Sequence, residues 1–355
     1  MIFFYLNSYI KQLTTGMFSY ESINKKKKDS LPWVEKYRPT KIENIISHDM
    51  IVKSLKNFMD KKTLPHLLFF GPSGSGKTST IMCCANEIYG QFIDCMVLHL
   101  NASNERGIDT VRTKIKNFVR NKTSYLLPAE YRGIFKLVIL DEIDSMTVEA
   151  QGMLRQTIEK NSFSTRFCLI CNEIDKINIA LQSRCAPFRF APLKVEYMVS
   201  TIQDICKNEN LKINKKTVNS IVKVSNGDMR ACINMLQAIN LTTSSEITKD
   251  DVYKISGHCT EELVNDIFGI LMKLVKKKTK FAHACEKITN IIEENTVTVF
   301  NLLADLKDIV IVSDLEQEHK IYLIDNFARI EVYDSVNFDV KNLIINICAL
   351  FVLIA

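Results

Sequence analysis

Residues that break regular structure are scarce: eleven glycines and seven prolines in 355 residues, under half the usual share. That excludes a collagen-like or low-complexity chain, favours a helix-rich fold and makes any local cluster of glycines informative. Long apolar runs are also missing. The longest, 343–355, is interrupted by Asn346 and falls short of the roughly 18–20 residues a membrane span requires, so no membrane partner is expected. No arginine precedes Arg38, which argues against a mitochondrial transit peptide. The apolar start, MIFFYLNSYIK, has no preceding positive charge and no small-residue cleavage site, which argues against a secretory signal. Eleven cysteines form an odd count, too sparse for a disulfide scaffold, and point to a reducing compartment. Cys168 and Cys171 make a CxxC inside an apolar run with no second pair at zinc-site spacing, so a buried strand is expected there. The six histidines show no HxxxH or HExxH pattern and read as surface or core residues.

What is present is an ordinary globular composition, 46% hydrophobic and 24% charged, with a net charge of +6. A mildly basic chain is compatible with a nucleic-acid partner without establishing one. Short continuous apolar runs at 67–70, 96–100, 137–140 and 167–171 are separated by helix-period segments such as 78–89 and 109–120. Continuous rather than alternating strands mean that both sheet faces are covered, so the fold class is α/β with a mainly parallel sheet. Ligands in such sheets bind beyond the carboxyl ends of the strands. After Pro187 and Pro192 the pattern becomes helical to the end. The expected organisation is an N-terminal extension (1–30, with Met17 as an alternative start), an α/β domain (31–193), a small helical domain (194–255) and a C-terminal helical domain (256–355).

Three glycines fall within six residues in Gly71-Pro72-Ser73-Gly74-Ser75-Gly76-Lys77-Thr78, a GxxxxGK[ST] loop between an apolar run and a helix-like segment. Such a loop turns successive N–H groups toward phosphate oxygens; the lysine adds charge at the β- and γ-phosphates and the threonine hydroxyl reaches Mg²⁺. The helix that follows presents its positive end to the same phosphates. Asp141, 64 residues after Lys77, ends a second apolar run and can hold a Mg²⁺-bound water, while Glu142 can orient and polarise the attacking water. Asn172 follows a third run, as a neutral hydrogen-bonder positioned to sense the γ-phosphate or simply as a strand-end turn.

Together with WVEKYRP (33–39), LNASNERGID (100–109), LVILDEID (137–144), RFCLICN (166–172), LQSRC (181–185) and SNGDMR (225–230), these segments resemble the small subunits of replication factor C, the clamp loader of the AAA+ ATPase superfamily. Within that family the resemblance is greatest to the subunit numbered five in animals and three in fungi. It implies an ATP-hydrolysing, Mg²⁺-dependent subunit of a heteropentameric ring that opens the sliding clamp and loads it onto primer-template DNA in replication and repair, in the nucleus. It implies a nucleotide set of Val34, Tyr37, Arg38, Pro39, Gly71 to Ser79, Asn172 and Arg230, with Val34 and Arg38 on the adenine side and Arg230 reaching the phosphates from the lid. Asp228 suits the N-cap of the helix that carries Arg230. The departures, Ser73, Ser75, Asn104, Ile143 and Ala231, remove no ATPase group. Two other readings stand beside this one: a ring subunit that binds nucleotide with dispensable hydrolysis, and another AAA+ DNA remodeller.

The remaining expectations concern partners. Arg112, Lys116 and Arg120 share one stripe of an amphipathic helix, a solvated face on composition alone. The family resemblance makes Arg106 and Arg112, with Lys116, trackers of the DNA phosphate backbone. Tyr125-Leu126-Leu127 is an apolar triplet in a polar connection, either a clamp contact or a tucked-in anchor. Lys25–Lys28 is either a nuclear-import signal or a solvated arm. Arg184 is either a surface arginine paired with a carboxylate or, by resemblance, an arginine finger offered to the ATP of a neighbouring subunit.

Overall fold

The apolar runs become strands because each supplies side chains to both faces of one sheet. The computed structural model describes residues 31–45, 47–103, 108–120, 133–242, 246–334 and 339–354. Strands β1 (Leu67–Phe70), β2 (Val97–Asn101), β3 (Lys136–Asp141), β4 (Thr165–Cys171) and β5 (Ala186–Arg189) form a parallel sheet in the order β2-β3-β4-β1-β5. Successive residues point to opposite faces. Leu67, Phe69, Ile139 and Ile170 pack with Leu55, Ile81 and Tyr89 from helices α1 (Asp49–Asp60) and α2 (Lys77–Tyr89). Leu68, Val138, Leu140 and Leu169 pack with Ile115, Leu154 and Ile158 from α3 (Ile108–Arg120) and α4 (Val148–Asn161) on the other face. Each such fully buried aliphatic contributes roughly 1.5–3 kcal/mol, so two-sided burial dominates the stability of this unit.

The chain divides into two compact units: one runs to Ile205 and takes back Ser225–Asn234, the other comprises Cys206–Val224 and Met235–Ala355. Helix α5 (Val195–Asn208), α6 (Lys215–Val224), α7 (Met229–Thr242) and α8 (Lys249–Ser256) follow the sheet in sequence. The second unit ends with α9 (Glu261–Val275), α10 (Phe281–Glu294), α11 (Val299–Val312), α12 (Gln317–Asp334) and α13 (Val340–Leu353). Its core follows helical spacing: Val264, Ile267, Leu271 and Leu274 of α9 meet Ile288, Leu303, Leu323 and Ile347. Thr248, Thr260, Thr298 and Asp339 cap α8, α9, α11 and α13 through their side-chain oxygens.

Cys168 and Cys171 lie buried in β4, as the apolar run predicts. All eleven cysteines are free; nine are buried, Cys285 is half-buried, and Cys95 is exposed in a one-turn helix (Ile93–Met96) just before β2. No helix among the described residues is long and apolar enough to cross a membrane.

Candidate functional site

The loop between β1 and α2 is shaped by glycines at positive φ. A Cβ on Gly71 (φ 145°) would stand 2.0 Å from the Phe190 carbonyl oxygen, and one on Gly74 (φ 65°) would stand 1.9 Å from Asp228 Oδ1. Inside the loop Ser75 Oγ donates to the Pro72 carbonyl at 2.7 Å. His48 Nε2 donates to the Ser75 carbonyl at 3.1 Å, with its ring edge-on to Phe190. Burial draws the His48 pKa below its ordinary value, against the opposing pull of the Ser75 carbonyl and Asp49. Lys77 opens α2 with its ammonium fully engaged, donating to the carbonyls of Gly71 (2.8 Å) and Pro72 (2.9 Å) and to Asn172 Oδ1 (3.0 Å). Burial lowers its pKa, partly countered by the charge of Asp141.

Parallel pairing brings the ends of β3 and β4 to the same edge as this loop. Thr78 Oγ1 donates to Asp141 Oδ2 at 2.7 Å, and His99 Nε2 lies 3.8 Å from the same oxygen. Burial alone would raise the Asp141 pKa, but the neighbouring His99 ring and the hydrogen bond from Thr78 outweigh it and hold the carboxyl below its usual range. A hydroxyl and an ionised carboxylate this close are a hard-oxygen pair, which fits Mg²⁺, an ion that takes one or two protein oxygens and keeps the rest of its shell as water and phosphate. Glu142 sits at φ 56°, a left-handed conformation that costs a non-glycine residue on the order of 1–3 kcal/mol and recurs at functional sites. Its backbone N–H donates to Asp141 Oδ1 at 3.0 Å, and its carbonyl accepts from Ser145 Oγ at 2.7 Å. The Asn172 N–H donates to Asp144 Oδ2 at 3.0 Å, which fixes the residue whose amide oxygen meets Lys77.

These groups open onto one cavity of about 200 Å³. Val34, Tyr37, Arg38 and Pro39 line it, with Ser73 to Ser79, Asp141, Glu142, Asn172 and Arg230. Gly71 and Pro72 do not line it; their contribution is the pair of carbonyls that hold Lys77. Asp228 caps α7 by accepting from the Ala231 N–H at 3.0 Å, two residues before Arg230. Ile45, Leu193, Met229 and Ile233 add apolar lining. Sequence reasoning missed these, since they come from separate segments, and it also missed His48 and His99, which no spacing pattern marks.

Arg184 lies outside this cavity. Its Nε donates to Glu159 Oε1 at 2.6 Å and its Nη1 to the Ala180 carbonyl at 2.6 Å, so in the single chain it is a surface arginine paired with a carboxylate. Lys116 and Arg120 are exposed on α3, whose Ile115 is buried. Arg112 belongs to that helix, but its side chain is outside the described residues, as are Arg106, Tyr125-Leu126-Leu127, and residues 1–30 with Lys25–Lys28.

Two family profiles match. The ATPase family associated with various cellular activities (AAA) covers residues 67–193, and the RFC1-like AAA+ ATPase lid domain covers 195–254. An Acanthamoeba polyphaga mimivirus protein named as a replication factor C small subunit is 62% identical over 92% of this chain and 95% of its own. Human replication factor C subunit 5 is 39% identical over 91% and 92% of the two chains. Subunit 3 of Schizosaccharomyces pombe is 37% identical over 85% of each.

Proposed function

The chain belongs to the replication factor C small subunits, a family of AAA+ ATPases, and on that premise we propose that it is a clamp-loading subunit that hydrolyses its own ATP. The observation that supports active hydrolysis is the convergence on one cavity of Lys77, the Thr78–Asp141 pair, Glu142 and Asn172. In this reading the loop N–H groups and Lys77 bind the β- and γ-phosphates, exchanging three internal acceptors for phosphate oxygens. Thr78 and Asp141 hold Mg²⁺, which when bound neutralises charge on the phosphates. Glu142 orients the attacking water and draws on its proton, and Asn172 hydrogen-bonds on the γ side. Arg230 approaches from α7, and Val34, Tyr37, Arg38 and Pro39 take the base. Arg184 serves the neighbouring subunit's ATP.

The proposed partners are the other replication factor C subunits, the sliding clamp and primer-template DNA, the last through Arg106, Arg112 and Lys116. The proposed compartment is the nucleus, on the family resemblance; imaging a tagged chain tests it, since the mimivirus relative places a similar protein in a viral genome. Two substitutions test the chemistry. Glu142→Gln should retain ATP binding and lose hydrolysis, whereas Lys77→Ala should lose tight binding. Tight binding in the lysine variant would sink the assignment of the loop.

A further inference from the structure

Lysines crowd one corner of the helical unit that nucleotide chemistry does not use. Helix α9 ends in a reversed turn: the Lys278 N–H donates to the Lys273 carbonyl and the Lys277 N–H to the Leu274 carbonyl, both at 2.9 Å. Lys277 stands in that turn at φ 54°, where glycine is unstrained and lysine is not. The turn folds the chain back so that Lys278, Thr279 and Lys280 join Lys273, and the start of α10 adds His283 and Lys287. With Ile270 they wall a cavity of about 340 Å³ that no carboxylate lines. Lys276 and Lys277 extend the charge beyond it, and Glu286 is the only acidic residue from 273 to 287.

All six lysines are exposed, and among the described residues none of them has a carboxylate within ion-pair distance. Six like charges within fifteen residues repel one another and do not stabilise the fold, but an anion relieves that repulsion. The ligand class follows from what lines the cavity. Ammonium groups are compact point charges suited to phosphate oxygens without base recognition. The lining has no amide to read a base edge and no large aromatic ring on which to stack one. An acidic peptide would need apolar anchors, and Ile270 is the sole aliphatic side chain there. We propose that this cavity is a binding site for the phosphate backbone of a nucleic-acid strand, independent of sequence. It lies wholly within the helical unit and does not depend on the nucleotide reading.

The test uses the full chain and a fluorescent 30-nucleotide oligo(dT), with binding followed by anisotropy as salt is raised. Lys278→Gln/Lys280→Gln/Lys287→Gln should weaken binding and reduce the salt slope by about 2, at roughly 0.7 per phosphate contact on single strands. A 4-thiothymidine oligonucleotide on the unaltered chain should cross-link within residues 273–287, a measurement independent of how the variant folds. An unchanged slope, or no cross-link in that segment, overturns the proposal. So does a larger loss of binding to a polyglutamate peptide than to DNA, which would make the cavity a receptor for acidic protein segments.

Discussion

At the phosphate end of the nucleotide cavity, Lys77 is 7% exposed and its three protons are taken by two loop carbonyls and the Asn172 amide oxygen. At the outer edge of the same unit, the Arg184 side chain is 36% exposed and rests on Glu159 and the Ala180 carbonyl. Both cations are proposed to act on phosphate, Lys77 within its own fold and Arg184 on a neighbour's nucleotide, and their settings differ accordingly. The first is fixed by burial among backbone acceptors that cannot move away. The second is tethered by a surface ion pair worth about 0–1 kcal/mol. An arginine finger supplies roughly 10³–10⁵ in rate, about 4–7 kcal/mol at the transition state, so release of Glu159 is a minor cost.

The largest expected effect tests the exposed member of this pair. Arg184→Ala should leave the chain's own ATP affinity intact and lower hydrolysis at the adjacent subunit by about 10³ or more. The assay is a reconstituted ring in which only that neighbouring site can hydrolyse ATP, and full activity there breaks the comparison. A smaller effect probes the buried member. Gly74→Ala combines an unfavourable positive φ with a Cβ only 1.9 Å from Asp228 Oδ1, so the loop and the α7 cap must shift together. Strain of about 1–3 kcal/mol predicts ATP binding weaker by roughly 10- to 100-fold, measured by titration with a fluorescent nucleotide. Unaltered affinity would show that the loop is not rigidly held.

The smallest effect is the pH response of the buried histidines of the interior. Burial lowers the His66 pKa to about 4, with repulsion from Arg166 adding to it, and the ring's Nδ1 accepts from the Phe167 N–H at 3.2 Å. The unfolded chain takes up this proton near pH 6.5, before the folded chain does. Stability from this group is therefore present above pH 6.5 and is lost as the pH falls toward about 4. His48, also depressed by burial, acts in the same direction. His66→Asn should flatten part of that decline in thermal unfolding, and an undiminished slope would remove His66 as its source.

Where the sequence was legible, burial was the reason. β1, β3 and β4 are covered on both faces and read as continuous apolar runs, with helices on either side of them. The phosphate loop was legible because its glycines and lysine are set by backbone geometry. β2 begins one residue after the predicted run, since Met96 closes the preceding short helix. β5 was missed: Ala186-Pro187-Phe188-Arg189 is short, exposed at every second position and contains proline, which an edge strand tolerates. His48 and His99 reach the site only through tertiary packing. The pairing of Arg184 with Glu159 joins residues 25 apart, and no local pattern selects that carboxylate over its neighbours.

The distribution of thiols makes the folded chain nearly monofunctional toward electrophiles. Nine of the eleven cysteines are buried, and burial raises their pKa, to about 12 for Cys84 and Cys259, so that little reactive thiolate forms. Cys95 meets a maleimide first, with Cys285 second. The native protein thus carries its own handle for a dye or spin label beside edge strand β2, and a reducing agent in the buffer protects chiefly that one position from cross-linking between copies.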